Sequence, residues 1–325
     1  MTEIVNNIFS VTAPGFEALA LDIFNYQYQH CAVYNQWVNA LGIKVLSVKK
    51  IEQIPFLPIS FFKQFDITTG RFRPQVIFTS SGTTATINSR HLVKDAGVYE
   101  ESFTQGFTRF YGPVADYCIV GLLPGYLERS GSSLVYMVDQ LIKDSKHPLS
   151  GFYLDDVDGL QQVLVQLEAQ QQKTLLIGVT FALLDFAATH PMPLQHTIVM
   201  ETGGMKGRKK EMVRQEVHDY LCRQFGLQQV HSEYGMTELL SQAYSVGHGI
   251  FTTVPWMKVL LRDETDPLTV YNTGRGVMNL IDLANINSCC FIATDDIGIV
   301  HPGGNFEVLG RMDESDIRGC SLLTV

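Results

Sequence analysis

From residue 74 to about residue 247, short β-rich runs are interspersed with longer stretches of helical spacing, and that rhythm limits the fold more than any single motif. The runs are "PQVIFTS", "DYCIVGLL", "TLLIGVT" and "HTIVME". The stretches between and after them are "AGVYEESFTQGFTRFY", "SSLVYMVDQLIKD", "DDVDGLQQVLVQLEAQQQ" and "KKEMVRQEVHDYLCRQFG". A strand followed by a helix can rejoin its sheet in parallel, so the pattern predicts an α/β fold of layered sheets with flanking helices. After about Gly247 the texture changes to short strands and turns without a helix, as in "FTTVPWMKVLL", "LTVYNTGRGVMNLIDL" and "SCCFIATDDIGIV". This predicts a smaller antiparallel or barrel-like β part packed on the layers, giving one domain over 1–325, with α/β layers in 1–247 and the β part and tail in 248–325. Ahead of both, "FEALALDIFNYQYQHCAVYNQWVNAL" reads as one long amphipathic helix.

Composition removes several classes of function. With 24 Lys and Arg against 33 Asp and Glu, the net charge is −9, which speaks against a nucleic-acid partner. The apolar stretch "TLLIGVTFALLDFAA" meets Asp185 too early for a membrane span, which needs ~20 apolar residues. The N-terminus lacks a basic leader, so a cytoplasmic location is expected. Six cysteines occur without a C-x-x-C pair, indicating neither a disulfide framework nor a zinc cage.

Four stretches carry possible chemistry, each with an ordinary alternative. "FTSSGTTATINSRH" crowds hydroxyls around Gly82 at the end of a run expected to be a buried strand. It suits either a phosphate cradle or a plain turn, and it is not a Walker A loop. "HSEYGMTELLSQAYS" sets Tyr234, Gly235, Thr237 and Glu238 at an expected helix start, where an exposed aromatic can stack on a base and a carboxylate can hold Mg²⁺; a simple helix N-terminus fits too. In "FIATDDIGIV", Asp295 and Asp296 end an apolar strand, as a turn or as acceptors for ribose hydroxyls. "GRMDESDIRGCSLLTV" is a solvated charged tail or a functional one. His91 and His231 read as structural histidines, although His91 lies close enough to the hydroxyl loop in sequence to approach phosphate.

Taken together and in this order, the four stretches resemble the signatures of the acyl-adenylate-forming enzymes, the superfamily of acyl-CoA synthetases, firefly luciferase and adenylation domains. The resemblance spans roughly residues 74 to 318 and implies the fold of that superfamily's large N-terminal domain, without its mobile C-terminal domain and catalytic lysine. It implies ATP and Mg²⁺ as cofactors and a carboxylic acid as substrate. Ser80, Ser81, Gly82, Thr83 and Thr84 would wrap the phosphates. Thr237 would touch the α-phosphate, Glu238 would bind the metal, and Tyr234, beside Gly235, would stack on adenine. Asp296 would hold the ribose with support from Arg311, and Gly203 and Gly204 of "METGGMKGR" would lie beside adenine and the acyl group. Ala85, Asn88 and Asp295 depart from the family pattern.

Within the superfamily the chain is similar to the acyl-protein synthetase branch of the bacterial bioluminescence fatty-acid reductase, in which the acyl group passes to a cysteine near the C-terminus. Cys320 stands at that place, nine residues after Arg311. An extended tether of that length reaches ~30 Å. The expected partner is an acyl reductase, an acyltransferase or an acyl carrier protein. Two other expectations stay open: transfer to coenzyme A or a carrier pantetheine, and a non-catalytic nucleotide-binding subunit.

Overall fold

The computed structural model describes residues 7–80, 87–123, 131–154, 156–203 and 212–312. Ser81, Gly82, Thr83, Thr84, Gly204 and Cys320 lie outside them. The chain divides into two compact units, Arg73–Val254 and a second made of Met1–Phe72 with Pro255–Val325.

The first unit contains the expected α/β layers. Strands β4 (Cys118–Leu122), β5 (Gly151–Phe152), β6 (Thr174–Val179), β7 (Thr197–Thr202) and β8 (His231–Tyr234) are parallel, in the order β5-β4-β6-β7-β8. Antiparallel β9 (Ala243–Ser245) and β10 (Thr252–Thr253) extend the sheet beyond β8. Every residue of β4 and β6 is buried, as expected of strands covered on both faces. Helices Ala96–Tyr111, Ser133–Ser145, Val157–Ala169, Thr180–Thr189 and Arg214–Phe225 match the helical stretches of the sequence, apart from Thr180–Thr189. That helix explains "TLLIGVTFALLDFAA": the apolar run is β6 followed directly by a helix. Among the described residues no helix is long and apolar enough to cross a membrane. Side-chain caps mark several starts, with Asp95 accepting from the Gly97 N–H and Asp156 from the Gly159 N–H.

Two local expectations fail in this unit. "PQVIFTS" is not a buried strand of the main sheet. Its β2 (Val76–Thr79) pairs with β3 (Arg90–Val93) in a separate two-stranded antiparallel ribbon. One face, with Phe78, His91 and Val93, is buried, while Ile77 on the other is 43% exposed. The helix expected at Tyr234-Glu238 is also absent: β8 ends at Tyr234, a turn holds Thr237 and Glu238, and the chain returns as β9. Ser241 there bonds Ser102 at 3.1 Å, a tertiary tie that overrides a local helical tendency.

In the second unit, β11 (Met257–Arg262), β12 (Val270–Tyr271), β13 (Gly274–Asp282), β14 (Phe291–Val300) and β15 (Phe306–Arg311) are antiparallel, and β1 (Leu57–Pro58) joins β14 in parallel. β14 changes partner along its length. Ile292 and Ala293 pair with β1, whereas Asp296 to Val300 pair with β15.

The long N-terminal helix is in fact two, Ala13–His30 and Ala32–Ala40, broken at the extended Cys31. No Gly or Pro marks the break; distant contacts fix it. The His30 carbonyl accepts the Gly70 N–H at 2.9 Å. One turn earlier, the fully buried Gln27 amide donates to the carbonyls of Asn285, Ile286 and Ser288 and accepts the Cys290 N–H.

Candidate functional site

In the Arg73–Val254 unit, Ser80 directly follows the ribbon strand β2, while Gly203, Tyr234 and the turn with Thr237 and Glu238 follow or end strands at the C-terminal edge of the parallel sheet, where open α/β sheets bind ligands. Ser80 forms the neck of the hydroxyl loop. Its N–H donates to the Ser89 carbonyl at 3.1 Å, and its Oγ accepts the Ser89 N–H at 2.9 Å, so both ends of the loop are held together. Gly203 follows β7 directly and is exposed, with nothing within 4 Å of where a Cβ would stand. The register of β7 with β8 ends one residue earlier, at Thr202 with Glu233.

Tyr234 is only 8% exposed, and its ring meets Phe251 edge-on at 6.0 Å between centroids. The exposed aromatic expected from the sequence is thus a ring fixed by its neighbour. At Gly235 a Cβ would lie 2.4 Å from Glu233 Oε1, so a side chain there would push the Glu233 carboxyl aside. Thr237 is half-buried and Glu238 is 5% exposed. His91 Nδ1 meets the Thr237 carbonyl at 2.9 Å, bringing the ribbon and this turn together. Burial lowers the His91 pKa to about 4 and does the same for His231, which lies 3.3 Å from the Tyr111 hydroxyl. Both rings are neutral at pH 7 and neither is placed as a proton-carrying base.

Beneath this edge lies a polar cluster that sequence reasoning missed. Glu201 accepts from Thr180 Oγ1 at 3.0 Å and from Arg214 Nε at 3.3 Å, with His218 Nε2 at 3.6 Å. Burial alone would raise its pKa, but His218, Arg214 and Ser232 outweigh burial and hold the carboxyl ionised. Glu233 behaves oppositely: burial raises its pKa to about 7, the Thr202 hydroxyl bond opposing and the Glu201 charge adding to the rise. His218 presents the same nitrogen to Ser232 and to Glu201, and Ser232 is wholly buried, so the set is not a nucleophilic triad.

In the second unit, Asp296 and Arg311 are cross-strand partners, and Arg311 Nε donates to Asp296 Oδ1 at 2.9 Å. The Asp296 carboxylate is buried at 8% exposure while Arg311 is 69% exposed, so the pair presents a held acid under a solvent-facing base. A backbone irregularity aims it. β13 and β14 are in register at Ile297 with Val277 and at Ala293 with Asn279, so Thr294, Asp295 and Asp296 stand opposite Met278 alone. Thr294 Oγ1 donates to the Met278 carbonyl at 2.8 Å and accepts the Asp296 N–H at 3.1 Å. Arg262 braces the bulge, with Nη1 donating to the Met278 carbonyl and Asn279 Oδ1 and Nη2 to the Thr294 carbonyl. Arg262 lies 34 positions before Asp296 in the chain and carries no local signature of this duty.

The fold is that of the adenylate-forming ligases. ATP-bound MatB from Rhodopseudomonas palustris superposes with a TM-score of 0.55 at 16% identity, over 74% of this chain and 49% of that one. An AMP complex of the O-succinylbenzoate coenzyme A synthetase from Bacillus subtilis gives 0.50 at 15% identity, over 77% and 63% respectively. This chain therefore spans about half the length of the solved ATP-bound relative. Within that class, the model of the acyl-protein synthetase family, LuxE, matches residues 152–324, more than half of the chain, and the protein belongs to that family. It is similar to the long-chain-fatty-acid–luciferin-component ligase of Vibrio harveyi, 23% identical over 324 residues that cover 92% of this chain and 84% of the relative.

Proposed function

We propose that this ligase uses ATP with Mg²⁺ to convert a fatty acid into an acyl-adenylate and then passes the acyl group to its own Cys320, as an acyl-protein synthetase. Both units would serve as one adenylating domain. The observation that carries the reading is the Asp296–Arg311 pair, a buried carboxylate aimed by a bulge and steadied by a guanidinium at 2.9 Å, inside the segment that matches the family. A carboxylate so held is the acceptor that two vicinal ribose hydroxyls require. The donor set suits a nucleoside triphosphate: a hydroxyl-rich segment whose flanks meet at Ser80 and Ser89, an open Gly203 at the end of β7, and a turn offering Thr237 and Glu238.

In the first half-reaction the substrate carboxylate attacks the α-phosphorus and pyrophosphate leaves. No general base is needed, since the acid is already ionised near pH 7, which agrees with the neutral, buried His91 and His231. Mg²⁺, when bound, neutralises charge developing on the phosphates; Glu238 is the residue assigned to hold it. In the second half-reaction the Cys320 thiolate attacks the acyl carbon and AMP leaves, forming the thioester that an acyl reductase, acyltransferase or carrier protein would collect.

Exchange of labelled pyrophosphate into ATP, screened over carboxylic acids of graded chain length, tests the first step. Cys320→Ala tests the second: exchange should persist while covalent acylation by labelled fatty acid disappears. Failure of exchange to appear with any acid would refute adenylation. Undiminished thioester product in Cys320→Ala with coenzyme A or a pantetheine acceptor would move the second step to an external thiol.

A further inference from the structure

We propose that His91 is a positioning residue of the adenylating site, tying the strand that leaves the hydroxyl loop to the turn that carries Thr237 and Glu238. The proposal rests on the adenylation reading above and adds a residue to it. The two segments are far apart in sequence, 146 positions separating His91 from Thr237, yet Nδ1 and the Thr237 carbonyl oxygen lie 2.9 Å apart.

A carbonyl can only accept, so the ring must supply the proton from Nδ1. With a pKa near 4 the ring is neutral at pH 7, which fixes the tautomer as Nδ1–H and removes the other role a histidine could play beside phosphates, that of a cation. His91 is 1% exposed. It contributes geometry rather than charge.

The neighbouring bonds show what this one adds. Ser241 bonds Ser102 at 3.1 Å and Gln242 Nε2 reaches the Tyr99 hydroxyl at 3.4 Å, which ties the later part of the 235–242 segment to the helix Ala96–Tyr111. The His91 bond acts earlier, at the peptide joining Thr237 to Glu238, and links it to β3. On the ribbon, His91 pairs across from Phe78, which packs against Tyr99 and Tyr136. Two residues beyond Phe78 is the Ser80 neck of the loop. A path of contacts therefore runs from Ser80 through Phe78 and His91 to Thr237, so Ser80 and the turn with Thr237 and Glu238 keep one spacing.

The test compares His91→Leu, His91→Asn and His91→Gln in pyrophosphate exchange with the full chain. Asn places its amide nitrogen where Nδ1 stands, whereas Gln reaches toward the Nε2 position, so Asn should restore what Leu and Gln lose. The expected result for Leu and Gln is a fall in kcat of about tenfold with a rise in the KM for ATP and an unchanged KM for the fatty acid; Asn should stay within about threefold of wild type. Equal loss in all three would assign the effect to ring volume and overturn the proposal, as would a Leu variant with lowered thermal stability but wild-type kcat and KM.

Should the variants fail to fold, the imidazole ¹⁵N spectrum of the wild-type protein decides the bond. An Nδ1-protonated neutral ring at pH 7 is expected, and a neutral ring protonated at Nε2 would refute the bond. Absence of exchange in wild type, by contrast, overturns adenylation itself and with it the role of His91, while the ¹⁵N result still reports the bond.

Discussion

Arg262→Met should damage both stability and nucleotide use, because Arg262 braces the bulge that aims Asp296. The substitution keeps the apolar stem but deletes three donated bonds. The Met278 carbonyl keeps its bond from Thr294 Oγ1. Asn279 Oδ1 and the Thr294 carbonyl lose their Arg262 partners, and Asn279 already has a buried Nδ2 without one. An abandoned buried acceptor costs about 1–3 kcal/mol, so two give about 2–6 kcal/mol. Arg262 is half-buried and water can reach part of the vacated space, which brings the expected loss to about 2–4 kcal/mol. At about 2–4 °C per kcal/mol, the melting temperature should fall by about 5–15 °C. Urea unfolding measures the first effect and the KM for ATP in pyrophosphate exchange the second, which should rise at least severalfold. Arg262→Lys should recover only part of either, since one ammonium cannot reproduce the fork. A variant with reduced stability and an unchanged KM for ATP would refute the link between bulge and nucleotide.

Asp296→Ala should abolish detectable exchange at ATP concentrations that saturate wild type, with a melting temperature within a few degrees of it, measured by exchange and calorimetry side by side. Gly298→Ala should cost more than about 2 kcal/mol in urea unfolding, because its Cβ would sit 2.6 Å from the Glu307 carbonyl and 2.7 Å from Met278 Sδ. The pH dependence of stability should carry two opposed limbs. Glu233 keeps its proton up to about pH 7 in the folded protein against an ordinary 4.5, so its contribution is complete below pH 4.5 and is lost as pH rises to 7, by about 3 kcal/mol. Glu233→Gln should therefore gain about 2 kcal/mol relative to wild type between pH 5 and pH 8 in urea unfolding. His91 titrates near 4 when folded against 6.5 unfolded, so its contribution rises with pH between those values by about 3 kcal/mol, and His91→Asn should remove that share while leaving the one from His231.

The layered part of the fold was legible because its signals are local. β4 and β6 are nearly continuous apolar runs, and the helices Ser133–Ser145 and Val157–Ala169 between them carry their own spacing and caps, so the layers followed from the sequence. What escaped was decided by distant contacts. The break at Cys31 depends on Gly70 and on residues 285–290, and nothing in "YQHCAVY" announces it. "PQVIFTS" has a strand's composition, but composition does not say whether a strand enters the main sheet or a ribbon. The turn after Tyr234 offered good helix-start residues that lost to the return of the chain into β9. For the site, motif order placed Asp296 beside Arg311 in expectation, and the cross-strand register pairs them. Arg262, Glu201, Glu233 and the His91 bond have no pattern of their own, since each works through a carbonyl or carboxylate that only folding brings near.

The change of partner along β14 has a mechanical corollary. Beyond Ala293 the strand no longer leans on β1 but on β15, whose last residue, Arg311, is the one clasping Asp296. Arg311 is thus at once the end of the strand and the arm of the clasp that a ribose would load. Under the proposed chemistry, nucleotide at the clasp would pull on the final rung of β15, so occupancy of the site would be felt as stiffness at the free end of the sheet.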